Sequence, residues 1–211
     1  MKAKNLSHLN RLLYFTKESL KQYESNEEAL NFNLKYWLKK KIVVRLKNGV
    51  YILRDRWDRE ANKDVYLEFL ANKLYEPSYL SCEYVMSLYG LLSEAVYGLS
   101  SVTTKKTVSF KNDLGFFSYY SISPKLFLGY EIERFYSTPI FLAKKAKAVF
   151  DYLYLRFLKK NPINKKVLEE LRINWENIKK SEFQEIEKYA RNSGSRRILE
   201  VINLTKKIYY A

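Results

Sequence analysis

The chain has 211 residues, 47% hydrophobic and 29% charged, enough apolar material for one or two folded domains and too much for a disordered polymer. Lys and Arg number 38 against 23 Asp and Glu, a net charge of +15, which points to a polyanionic partner: DNA, RNA or a membrane surface. With one Cys (Cys82) and one His (His8), a four-ligand zinc site and an intrachain disulfide are excluded, and histidine chemistry rests on His8 alone.

Leu6, Leu9, Leu12 and Leu13 stand at helical spacing, with Asn5 or Ser7 as a cap. Thr16 is placed to cap a second short helix, Lys17 to Tyr23. Ser25-Asn26-Glu27-Glu28 opens a third, Asn26–Lys40, with a capping side chain and first-turn acids that suit the helix dipole. Its buried stripe is Leu30, Leu34, Trp37 and Leu38. Ile42–Leu46 and Val50–Leu53 flank Asn48-Gly49, a strong hairpin signal. Three helices and a hairpin are the layout of a winged helix-turn-helix domain, expected over residues 1–57. The polar stretch Asp58–Asp64 marks the boundary of a second domain, residues 58–211.

In that second part, Asp64–Tyr75 and Ser81–Leu91 read as helices, with Glu76-Pro77-Ser78 as a break. Between Tyr97 and Leu142 the apolar residues recur every second position, which predicts an antiparallel sheet of four or five strands. Ala143–Leu158, Lys165–Leu171, Ser181–Arg191 and Ser195–Lys207 return to helix. The expected fold class is therefore α+β.

The third helix is the element suited to a major groove. Asn31, Asn33 and Lys35 lie in the half that meets base edges, where Asn pairs with adenine and Lys donates to guanine or phosphate. Tyr36, Lys39, Lys40 and Lys41 reach sugar–phosphate, and Arg45, Lys47 and Asn48 place the hairpin on backbone or minor groove. Residues 1–60 hold 14 Lys/Arg against 7 Asp/Glu, nearly half the excess positive charge in under a third of the length. His8 reads as a surface or capping residue and Cys82 as a small core residue. The Tyr and Phe residues from 97 to 136 suit sheet packing, with a base-stacking platform as the alternative. Arg196-Arg197 and Lys206-Lys207 make the last helix basic on one side. No GxGxxG or GxxxxGKS/T loop is present, and neither a cofactor nor a metal is expected. The longest apolar run, Ile140–Ala143, falls far short of the roughly 20 residues that span a bilayer. Met1–Asn5 leads into no apolar signal core, so a cytoplasmic protein with no membrane association is expected.

Several segments resemble those of the AbiEi-type antitoxins of type IV toxin–antitoxin systems. Pro77–Tyr84 running into Leu88-Tyr89-Gly90-Leu91-Leu92 resembles their "PSYISxxxALxxYGLI" stretch, and Ser101–Lys106 their "SVTxKR" strand. Gly115–Ile122 and Leu126–Tyr130 are similar to the strand and turn that follow. Ala143–Tyr154 occupies the place of "AxPEKALLDLLY", without the Pro-Glu pair, and Lys47–Tyr51 resembles the "GVY" end of their wing. The resemblance spans about residues 5 to 157. It implies a winged-helix domain that binds inverted repeats of double-stranded DNA in its own promoter. It also implies a larger domain that counteracts a nucleotidyltransferase toxin without a stable complex. The residues alone leave open a stand-alone transcription factor with a ligand- or protein-binding C-terminal domain, or an RNA-binding module. An enzyme is not expected.

Overall fold

In the computed structural model, which describes residues 6, 9–159 and 161–210, the chain opens on a small unit built around one long helix. A two-residue strand, β1 (Phe15–Thr16), leads into a single turn, α1 (Lys17–Leu20), and then into α2 (Glu27–Lys39). Thr16 caps α1 reciprocally with Ser19: each side chain accepts the other's backbone N–H, at 3.1 and 3.0 Å. Asn26 Oδ1 accepts the Ala29 N–H at 3.0 Å and fixes the start of α2. Strands β2 (Val43–Lys47) and β3 (Val50–Leu53) form the hairpin, whose two-residue turn needs the left-handed backbone of Gly49 (φ +77°). The three strands make one antiparallel sheet in the order β1-β3-β2.

The hairpin separates two cores. Val43, Tyr51 and Leu53 join Leu6, Leu9, Phe15, Leu20, Leu30, Leu34 and Trp37 in a small cluster under α2. Val44, Leu46 and Ile52, on the opposite face, belong to the large cluster formed by the rest of the chain. Alternation along β2 thus sends successive side chains into different interiors. Polar ties reinforce the junction: the Tyr66 hydroxyl donates to the Leu13 carbonyl, and Asn112 Nδ2 donates to the Leu46 carbonyl at 2.9 Å.

The remainder is a six-stranded sheet with helices on both faces. Helices α3 (Arg54–Asp58) and α4 (Lys63–Leu74) lead to β4 (Ser78–Leu80), α5 (Cys82–Leu88) and β5 (Leu99–Thr103). Then come β6 (Val108–Asn112), β7 (Gly115–Ser121), β8 (Tyr130–Phe135) and β9 (Thr138–Ala143). Helices α6 (Lys145–Leu158), α7 (Lys165–Glu170), α8 (Lys180–Ser193) and α9 (Arg196–Tyr209) close the chain. Strand order is β6-β7-β5-β4-β9-β8. The fold is α+β.

Three expectations are corrected. The larger sheet is mixed, not antiparallel: β4 runs parallel to β9 and β5 parallel to β7. Its sixth strand, β4, is three residues long and buried throughout, so Ser-Tyr-Leu shows no alternation by which to read it. The first expected helix is represented by a 3-10 turn over 9–11, and its caps Asn5 and Ser7, with His8, lie outside the described residues. The second helix ends at Leu20 rather than Tyr23.

Candidate nucleic-acid interface

Helix α2 turns Leu30, Leu34 and Trp37 into the small core, and the 3.6-residue period puts Glu28, Asn31, Phe32, Lys35, Tyr36 and Lys39 on the opposite side. All six are exposed. Lys40, Lys41 and Arg45 are exposed beyond the C-terminal end of the helix, and Asn48 is exposed at the tip of the hairpin. Among the described residues, Lys35, Lys39, Lys40, Lys41 and Arg45 have no ion-pair partner, whereas Lys17 pairs with Glu27 at 2.7 Å. The potential is graded along the helix, with Glu28 at the N-terminal end and cations at the C-terminal end.

Two of the residues expected to touch nucleic acid stand apart from this face. Asn33 is half-buried and lies about a quarter turn round from Phe32, towards the core side. Lys47 points the other way, across the junction: its ammonium donates to the Leu74 carbonyl at 2.5 Å and lies 5.7 Å from the centre of the Phe110 ring. Burial, with the neighbouring Lys105 charge, holds the Lys47 pKa below the usual lysine value. The bulge between Arg45 and Lys47 is where the strand re-aims its side chains. Lys47 is a structural tie rather than a free cation.

Phe32 is absent from the residues that sequence reasoning selects, although a signal for it exists. It lies off the Leu30–Leu34–Trp37 stripe and three and four residues before Lys35 and Tyr36. It is 72% exposed and Tyr36 47%, which puts two aromatic side chains amid the lysines.

The larger part holds two further polar features. Lys147 and Asp151 are fully buried and paired one turn apart on α6. The Tyr79 and Ser81 hydroxyls donate to Asp151 at 2.9 and 2.8 Å, and the Lys147 ammonium lies over the Tyr79, Phe150 and Tyr189 rings. Burial pushes the Asp151 carboxyl up, against the opposing pull of the lysine and the hydroxyls, and raises the Tyr79 phenol as well. Cys82 is buried beside this group and its thiol is held protonated, consistent with a core residue. Separately, a half-open cavity of about 350 Å³ lies between β7 and α6, with Glu83, Tyr120, Tyr152 and Arg156 in its wall. Among the described residues, neither Glu83 nor Arg156 has an ion pair.

On α9, Arg197 is committed to the Phe157 carbonyl at 2.7 Å and to the Asn161 carbonyl, and Lys206 pairs with Glu187 at 2.9 Å. Arg196 and Lys207 line an open groove. Between 97 and 136, Phe117, Tyr119 and Phe135 are core residues, while Tyr97 is 90% exposed. Among the described residues, no group of three or more His, Cys, Asp or Glu is placed to hold a metal ion, and no helix is long and apolar enough to cross a membrane.

No protein-family model matches this chain, and no curated protein matches it.

Proposed function

We propose that the chain is a double-stranded DNA-binding regulator. In this reading its N-terminal unit is a winged helix-turn-helix with α2 as the recognition helix and β2–β3 as the wing. One observation carries the reading: Lys35 and Lys39 on the solvent face of α2, opposite its core stripe, and Lys40, Lys41 and Arg45 just beyond the helix are exposed cations without ion-pair partners among the described residues. The order of elements fits as well, since a strand precedes the two helices and pairs with the hairpin that follows them. A helix carrying Asn31, Lys35 and Lys39 has the right chemistry for base edges and phosphates. The contacts proposed are Asn31, Lys35, Tyr36, Lys39, Lys40, Arg45 and Asn48, with Asn33 and Lys47 excluded.

The motif resemblance extends the proposal. The DNA bound is inverted repeats in the chain's own promoter, and the larger part counteracts a nucleotidyltransferase toxin without a stable complex. The test is fluorescence anisotropy with a duplex of the upstream promoter, together with co-expression of the adjacent gene scored for growth. Binding that weakens steeply with salt, plus growth rescue, is the expected result. A chain that does not bind the duplex would end the DNA reading, and absence of rescue the antitoxin reading. A second reading, a regulator that senses a small ligand, is favoured by the cavity carrying Glu83 and Arg156.

A further inference from the structure

Phe32 is the one side chain on the solvent face of α2 whose chemistry neither a phosphate nor a polar base edge satisfies. Leaving a phenyl group 72% exposed keeps apolar area in water, and Tyr36, one turn further along, is itself 47% exposed. Lys35 and Tyr36 follow Phe32 on the same face, with Lys39 a turn further on and Glu28 a turn before it, so an apolar protein surface laid over it would also bury charges without ion-pair partners among the described residues. The occupant that suits both the phenyl and the cations on its C-terminal side is a polyanion with an apolar group on it. In the major groove of DNA that group is the 5-methyl of thymine, the base-edge feature that an apolar side chain reads.

We propose that Phe32 packs on a thymine methyl and makes the site recognised by α2 an A·T-containing one, with Asn31 beside it placed for adenine. This rests on the DNA-binding reading above and adds the base that the helix discriminates. Phe32 sits midway along the helix, with the phosphate-seeking lysines at one flank. The methyl contact therefore lies towards the N-terminal end of the proposed contacts.

The experiment separates this claim from the reading beneath it. Duplexes are selected from a random-sequence pool by the full-length chain at moderate salt. The best binders are then remade with deoxyuridine in place of thymidine, which removes only the methyl groups. For the native chain, affinity is expected to fall about fourfold for each thymine whose methyl is covered, the transfer value of one methyl-sized group. For Phe32→Ala, thymidine and deoxyuridine duplexes are expected to bind equally, and at the native chain's deoxyuridine level. Tyr36→Ala keeps the distinction between the two duplexes. Equal binding of both duplexes by the native chain overturns the Phe32 assignment while leaving DNA binding intact. Selected sites without thymine overturn it too. So does a loss of self-association in Phe32→Ala, which would make the phenyl a protein contact. Failure to enrich any duplex overturns the DNA-binding reading itself.

Discussion

Trp37 and Phe32, five residues apart on α2, lie on opposite sides of the helix: the indole is 1% exposed and the phenyl 72%. Two large aromatics in one helix therefore have separate duties. Trp37→Ala is expected to destabilise the fold by about 3–5 kcal/mol, the cost of emptying a buried aromatic site, whereas Phe32→Ala stays within about 0.5 kcal/mol. Urea unfolding followed by circular dichroism measures both, and equal effects would contradict the arrangement.

The free cations give a salt signature. Removing one phosphate-binding cation lowers the slope of log affinity against log salt by about 0.9. Lys35→Glu with Lys39→Glu is expected to reduce that slope by about twice this amount and to abolish binding at moderate salt, with unfolding unchanged. A double variant that binds as tightly as the native chain would remove α2 from the interface.

Lys47 provides the contrast. Its ammonium serves the Leu74 carbonyl, so Lys47→Ala is expected to cost about 1–2 kcal/mol of stability and to leave the salt slope nearly unaltered. A slope change matching that of a surface lysine would mean that Lys47 meets phosphate after all.

The buried pair on α6 is expected to behave asymmetrically. Asp151→Asn strands the Lys147 ammonium in the core and should cost about 3–5 kcal/mol, while replacing both residues with apolar ones of similar size is far milder. Thermal unfolding of the single and double variants is the check.

Glu68 carries a pH dependence of definite sign. Burial raises its carboxyl pKa above the ordinary 4.5, against the pull of the Tyr84 hydroxyl that donates to it at 2.7 Å. The folded chain thus holds this proton more tightly than the unfolded one. The stability it contributes is complete below the unfolded value and is lost as pH climbs through the folded one. Glu68→Gln is expected to melt higher than the native chain at neutral pH, with the gap closing as pH falls to about 4. A gap that persists in acid would place the cause elsewhere.

What the sequence disclosed follows from how strongly each residue is tied to its local period. Asn26, the Leu30–Leu34–Trp37 stripe and Asn48-Gly49 announce α2 and the hairpin because cap, stripe and turn are local chemistry. The α+β class follows from the change of period near residue 97. The parallel pairings were hidden because β4 is too short to alternate, and β5 places Leu99, Val102 and three hydroxyl residues in uniformly buried positions. The candidate face was legible apart from Asn33, Lys47 and Phe32: a phenylalanine reads as core by default, and only its offset from the stripe puts Phe32 outside. Lys47 could not have been read from sequence, since its partner carbonyl is 27 residues away and comes near only through the packing of β2 against the larger part.

Walling the hairpin in on both sides has a mechanical outcome. Val43 is locked into one interior and Val44 into the other, so α2 cannot swivel on the body behind it. A duplex seated on α2 would hold the whole molecule at one fixed attitude along its axis. Anything that shifts β6 against β2 would be passed straight to α2, because the two strands pack directly on one another.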